Sequence, residues 1–225
     1  MAYNEPEPPY YGPEPPGGAP EPAHSEPAVP STQVKILIAG GFGVGKTTFV
    51  GSVSEIEPLS TEELITTASV GVDDLGGIAE KSTTTVALDF GRLTFDQHGI
   101  VLYLFGTPGQ RRFWFLWNEL SAGALGAVVL ADTRRLEDCF EAVDFFENRG
   151  THFLVAVNEF DAAFRYDTGE VRAALGLDPR VPIVLCDARD RSSTIAVLRA
   201  LVRHLLTAAS TTSATSAASN SVNSA

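Results

Sequence analysis

Val34-Lys35-Ile36-Leu37-Ile38-Ala39-Gly40-Gly41-Phe42-Gly43-Val44-Gly45-Lys46-Thr47-Thr48-Phe49 is the stretch that decides the fold. An apolar run of strand length ends in a turn of the pattern G-x-x-x-x-G-K-T, and the residues beyond it suit a helix. The spacing has a physical reason. Glycines let the backbone curl so that successive N–H groups point inward at a phosphate, and the following helix presents the positive end of its dipole there. Gly40, Gly41, Gly43, Val44, Gly45, Lys46, Thr47 and Thr48 therefore form a candidate phosphate loop. Lys46 is expected to reach the β- and γ-phosphates and the Thr47 hydroxyl to bind Mg²⁺.

Outward from this loop, both ends of the 225-residue chain read as poor folding material. Residues 1–32 hold ten of the fourteen prolines and five glutamates, with no Lys or Arg. Such a segment is expected to be extended and disordered. Residues 208–225 contain only Ala, Ser, Thr, Asn and one Val, a composition with no core to bury, so a loose tail is expected there too. Residues 33–207 remain, enough for one domain with a sizeable core and too few for two. A formal net charge of −12 speaks against non-specific binding to nucleic acid or anionic membranes, which needs basic surface. The start has no basic and apolar leader pattern, no run reaches eighteen apolar residues and the C-terminus has no prenylation cysteine. The expectation is a cytoplasmic protein with no membrane insertion. Cys139 and Cys186 lie in apolar segments without metal-ligand spacing and read as buried thiols.

Apolar runs recur at 34–39, 86–90, 100–105, 126–131, 153–157 and 181–186, with helix-compatible stretches between most of them. That alternation predicts an α/β domain on a mostly parallel six-stranded sheet flanked by helices. Gly91 to Gly99 is too short for a crossover helix, so the second and third runs should form an antiparallel hairpin. Ile195, Leu198, Leu201, Val202 and Leu205 predict a closing amphipathic helix. Glu137 to Arg149 reads as another helix, with Phe140, Val143 and Phe146 on its core side.

Three further segments carry chemistry. The strand Ile100 to Phe105 delivers Gly106-Thr107-Pro108-Gly109-Gln110 to its carboxyl end, the edge at which open α/β sheets bind ligands. There Gly109 can offer its N–H to a γ-phosphate and Gln110 can orient an attacking water. Val155-Ala156-Val157-Asn158-Glu159-Phe160-Asp161 sets Asn158 and Asp161 three residues apart at another strand end. A carboxylate there can accept both N1–H and N2–H of guanine, a donor pair that adenine lacks. Taken alone, an Asn or Asp after a strand is often only a cap or turn former. A last strand ends in Cys186-Asp187-Ala188-Arg189, where backbone amides can meet the guanine carbonyl oxygen.

In this order the motifs resemble the Ras-like small GTPases from about Gln33 to Leu206. The resemblance implies a P-loop NTPase fold, GTP/GDP and Mg²⁺ as ligands, and slow hydrolysis of GTP. It makes Thr85, in Thr85-Val86-Ala87-Leu88-Asp89-Phe90, similar to the switch threonine over the γ-phosphate and metal. Gln110 becomes similar to the hydrolytic glutamine, with Lys46 beside it. Asn158 and Asp161 match the guanine readers, and Ala188 with Arg189 the loop against the base. Within the family, Thr-Pro-Gly-Gln, the long stretch before Thr85 and the Ala/Ser tail look most like bacterial MglA-like members, especially GTPases of actinobacterial conservon operons. Those relatives imply a Roadblock-type small protein and a histidine-kinase-like sensor as partners in signalling.

Three departures stand out. Gly106 takes the place of the usual Asp, so the carboxylate that holds Mg²⁺ through water is expected to be missing and metal binding weakened. Glu159 replaces the usual Lys of the guanine motif. The stretch between Lys46 and Thr85 is long, and Ser60 with Glu63 suggests a capping box and an extra helical segment. Gln110-Arg111-Arg112-Phe113-Trp114-Phe115-Leu116-Trp117 is strongly aromatic and reads equally as core packing or as a partner surface. Arg111, Arg112, Arg134 and Arg135 are candidates for an arginine supplied in cis. The rival readings are a non-hydrolysing pseudo-GTPase, locked as a binding module, and a P-loop kinase or ATPase.

Overall fold

The computed structural model describes residues 32–66, 83–110, 113, 115–161 and 163–222. The expectation for residues 1–32 therefore concerns almost wholly residues outside that description. The hydrophobic run before the phosphate loop becomes β1 (Thr32–Gly40), and the loop feeds α1 (Lys46–Val53). After them come β2 (Leu59–Thr66), β3 (Thr83–Phe95), β4 (Ile100–Gly106), α2 (Phe115–Ser121), β5 (Ala124–Ala131), α3 (Phe140–Arg149), β6 (Phe153–Asn158), α4 (Thr168–Leu175), β7 (Ile183–Cys186) and α5 (Arg191–Val222).

These strands make one seven-stranded sheet in the order β2-β3-β4-β1-β5-β6-β7. β4, β1, β5, β6 and β7 are mutually parallel, and β3 runs antiparallel to β4 as the short connection requires. All six expected strands form. The seventh, β2, is where the sequence suggested a helical turn around Ser60 and Glu63. Its backbone instead pairs antiparallel with β3 from Leu59↔Phe90 to Thr66↔Thr83, and eight residues of ladder outweigh one local cap.

The period-2 alternation of β1 explains the two-sided core. Ile36 and Ile38 face α1 and α5, packing with Phe49, Val50, Val197, Leu198 and Leu201. Leu37 and Ala39 face the other layer, with Trp117, Val143, Phe146, Val171 and Leu175. Fully burying each such large apolar side chain contributes roughly 1.5–3 kcal/mol, which fixes the carboxyl edge of the sheet as a firm platform. Phe140, expected in that core, opens α3 at 40% exposure, because a 3-10 turn over Leu136–Cys139 precedes the helix and shifts its start.

The tail is a second correction. α5 runs without a break to Val222, although residues 208 onward offer no core. A helix already nucleated by packing extends cheaply through alanines, and the hydroxyls of Thr207, Ser210 and Thr211 donate to carbonyls one turn back. Both cysteines are free and buried, and burial pushes each thiol up to about 12. Among the described residues no helix is long and apolar enough to cross a membrane.

Candidate functional site

Four loops meet at the carboxyl edge of β1, β4, β6 and β7. Gly45 precedes α1 with φ 104°, a left-handed conformation that costs glycine little. A Cβ there would also lie 2.7 Å from the Asn158 amide nitrogen. Lys46, almost wholly buried, folds back so that its Nζ donates to the Gly40 and Gly41 carbonyls at 3.0 and 2.7 Å. Burial pushes this ammonium down to about 8, against the opposing pull of Asp89. Gly109 lies directly over it. A Cβ on Gly109 would be 2.6 Å from Lys46 Nζ and 2.9 Å from the Gly41 carbonyl oxygen.

Although position 106 carries no carboxylate, one stands beside Thr47 from another strand. Asp89 lies one step beyond the Phe90↔Phe105 pair of β3 and β4, opposite Gly106, and accepts a hydrogen bond from the Thr47 hydroxyl at 2.7 Å. Gly106 is the reason that it fits. A Cβ at 106 would meet Asp89 Oδ2 at 2.9 Å and its Cβ at 3.0 Å. Sequence reading passes over Asp89 because its partner lies across a hairpin; the β3–β4 register was the signal that could have found it. A buried carboxylate beside a threonine hydroxyl is a donor set of the kind that suits a hard cation completed by phosphate and water oxygens. Among the described residues no cluster of three or more His, Cys, Asp or Glu side chains suits a metal.

Thr85 sits apart from this pair. Its backbone pairs with Leu64 in the β2–β3 ladder, four residues before Asp89, which along an extended strand is about 13 Å. Asp89 is the β3 residue that meets Thr47. Gln110 closes the turn after Gly109, its carbonyl accepting the Phe113 N–H at 3.0 Å.

On the other side of the phosphate loop, Asn158 acts as a clasp. It is buried, donates from Nδ2 to the Val44 carbonyl at 2.9 Å and accepts the Ala188 N–H at 3.0 Å. Three loops distant in sequence are thereby held by one amide. Next to it opens a cavity of about 300 Å³ whose lining includes Gly45, Thr48, Arg134, Asp161, Ala188 and Arg189. Asp161 stands at its rim, its side chain 87% exposed, and the Arg189 guanidinium holds its carboxyl below the usual carboxylate range.

The four candidate arginines separate. Arg111 and Arg112 lie outside the described residues, as does Trp114. Arg134 grips Asp132 through Nε and Nη2 and stacks 3.9 Å over the Phe160 ring, on the cavity side. Arg135 reaches the phosphate loop, donating to the Phe42 carbonyl at 3.0 Å. Glu159 pairs with Arg165 at 3.4 Å. Of the aromatic run, Trp117 is core: it is buried, donates to the Pro108 carbonyl at 3.1 Å and packs edge-on against Phe145. Phe115, by contrast, is 49% exposed.

Comparison with known proteins agrees with this geometry. Among solved structures, the chain is similar to the FeoB G-domain from Methanococcus jannaschii, with a TM-score of 0.53 and 15% identity over 77% of this chain and 98% of that one. It is also similar to the cytosolic domain of the T. maritima FeoB iron transporter. The GMPPNP form gives a TM-score of 0.56 at 18% identity over 76% of this chain and 64% of that one, and GDP form I gives 0.54 at 17% over 79% and 65%. At such identities the likeness shows the fold, that of a G-domain, and this chain spans about two thirds of the T. maritima domain. In sequence it is 28% identical over 141 residues to an uncharacterized protein of Methanocaldococcus jannaschii, MJ1339, covering 62% of this chain and 77% of that protein. A family model described as "conserved hypothetical ATP binding protein" matches residues 38–208, from the end of β1 well into α5, and the chain belongs to that family of P-loop nucleotide-binding proteins.

Proposed function

We propose that this protein is a guanine-nucleotide switch that hydrolyses GTP slowly. The observation that carries the reading is the Asn158 clasp with Asp161 beside it: the buried amide ties the base-side loop to the phosphate loop, and the Asp161 carboxylate stands free of the core at the mouth of the cavity. A carboxylate so held accepts the two parallel N–H donors of guanine, whereas adenine offers no such pair. Neighbouring folds solved in GDP and GMPPNP forms support the same choice, although the family's description names ATP.

In this reading the amides of Gly43 to Thr48 receive the phosphates and Lys46 moves from the Gly40 and Gly41 carbonyls onto the β- and γ-oxygens. Thr47 and Asp89, already joined by a hydrogen bond, would hold Mg²⁺, with Thr85 of the same strand as Asp89 the further candidate. Bound there, the metal would supply positive charge against the charge that develops on the phosphates. Gly109 offers its N–H to the γ-phosphate and Gln110 orients the water for in-line attack. Loss of the γ-phosphate releases the segments around Thr85 and Gly109, and a partner reads the difference. The MglA-like and conservon resemblance makes a Roadblock-type protein and a sensor-kinase-like protein the expected partners, in the cytoplasm.

Thermal denaturation with GDP, GTP, ADP and ATP in turn tests the base. Ligand at a hundredfold excess over its dissociation constant adds about 2.7 kcal/mol, or about 5–10 °C for a domain of this size. Stabilisation by ATP equal to that by GTP refutes the guanine reading. Release of phosphate from GTP, absent in Gln110→Leu, tests the hydrolysis and separates a working switch from a locked binding module.

A further inference from the structure

Asp161 already has a bidentate partner. Arg189 donates from Nη1 to Asp161 Oδ2 at 2.9 Å and from Nη2 to Oδ1 at 3.3 Å. The rest of the guanidinium is anchored: Nε and Nη2 each donate to Asp187 at 2.9 Å, and the Arg189 backbone N–H reaches Asp187 Oδ1 at 2.9 Å. Ala188, between the two, is fixed by Asn158. Arg189 therefore hangs over the cavity mouth from a rigid point and points its remaining donors at the carboxylate.

Guanine and a guanidinium share one recognition edge. In both, two N–H groups on a single carbon-nitrogen frame point the same way, which is the arrangement that a carboxylate accepts in parallel. We propose that Arg189 is an internal competitor for the base: it occupies the two Asp161 oxygens that a guanine ring needs, and nucleotide binds only after this fork has been displaced. The proposal rests on the guanine reading above and adds a gate to it. Because both side chains are largely exposed, at 57% and 87%, the ion pair is solvent-screened and opens easily. It slows entry rather than forbidding it. Asp187 keeps hold of Arg189 when Asp161 is surrendered, so the displacement is a small swing of one side chain.

Arg189→Met is the test, since it keeps an aliphatic stem beside the base and removes only the fork. With the full chain and a fluorescent GDP in stopped flow, GDP should bind roughly two- to fivefold more tightly in the variant, the size expected of an exposed ion pair. The gain should lie wholly in faster association with dissociation unchanged. Equal or weaker binding overturns the proposal, and so does a gain that comes from slower dissociation, which would mean a new contact to bound base. A second measurement uses guanosine, which carries no phosphate, as the displacing ligand. Raising NaCl from about 0.05 M to about 0.5 M should tighten guanosine binding to the unaltered protein and leave Arg189→Met unmoved; the same response in both overturns it. If neither protein binds GDP while both bind ATP, the guanine reading itself has failed.

Discussion

Replacing Asn158 by alanine should unfold this domain far more readily than any change at its exposed neighbours. The side chain is buried and makes two hydrogen bonds to backbone, one to the Val44 carbonyl at 2.9 Å and one from the Ala188 N–H at 3.0 Å. Alanine leaves both groups without a partner in a place where Val44 and Ala188 are themselves buried. Each buried group stranded in this way costs about 1–3 kcal/mol, so a loss of about 3 kcal/mol is expected for the pair. For a domain of this length that is about 6–12 °C in melting temperature. Differential scanning calorimetry without added nucleotide measures it directly. Asp161→Ala is the matched control, three residues away on the same loop and exposed, and it should leave the melting temperature nearly unchanged while abolishing selection for guanine. Asn158→Asp adds a finer test, because it keeps the acceptor for Ala188 and turns the donor toward Val44 into a second acceptor. It should melt at least as early as Asn158→Ala at neutral pH. A fall of less than about 2 °C for Asn158→Ala would refute the clasp as the element that holds these loops together.

Gly106→Asp should destabilise the protein by about 1–3 kcal/mol through crowding, since a Cβ there meets Asp89 Oδ2 at 2.9 Å, and the double variant Asp89→Gly, Gly106→Asp should recover much of the loss in the same melt. Thr107→Val should raise stability by about 1 kcal/mol in urea titration, because the buried Thr107 hydroxyl has no hydrogen-bond partner among the described residues and a methyl there strands none of them. Lys46 gives a pH dependence with a definite sign. Its folded value of about 8 lies below its ordinary 10.5, so the unfolded chain binds more protons between those values and nucleotide-free stability should rise with pH across that window. Phosphate arriving at Lys46 restores the proton, and nucleotide binding near pH 8.5 should take up about 0.7 proton, read by calorimetry in buffers of different ionisation heat.

What the sequence made legible was what is local in the chain. The phosphate loop declares itself within eight residues, and the alternating runs from Val34 to Cys186 foretold six strands and the β3–β4 hairpin. Asp89 stayed hidden because seventeen positions separate it from Gly106, and only pairing across β3 and β4 brings them together. β2 escapes a local reading for a related reason: Ser60 and Glu63 carry a local cap signal, while the ladder to β3 that overrides it pairs residues 17 to 31 positions apart. The helical continuation through Ala208 was concealed by composition, since Ala, Ser and Thr describe a segment that will not start a helix yet will prolong one.

Asp89 and Gly106 also bind each other in evolutionary time. The carboxylate beside Thr47 has room because position 106 has no side chain, so side chains at both places crowd each other, and a chain with neither carboxylate leaves the Thr47 hydroxyl without this partner. Passing from one arrangement to the other means crossing either a crowded intermediate with two carboxylates or a bare one with none. Relatives should therefore fall into two sets, Asp at 89 with glycine at 106, or Asp at 106 with another residue at 89, and few between. A search keyed to aspartate at position 106 would see only the latter set, leaving proteins built like this one outside the class whose fold they share.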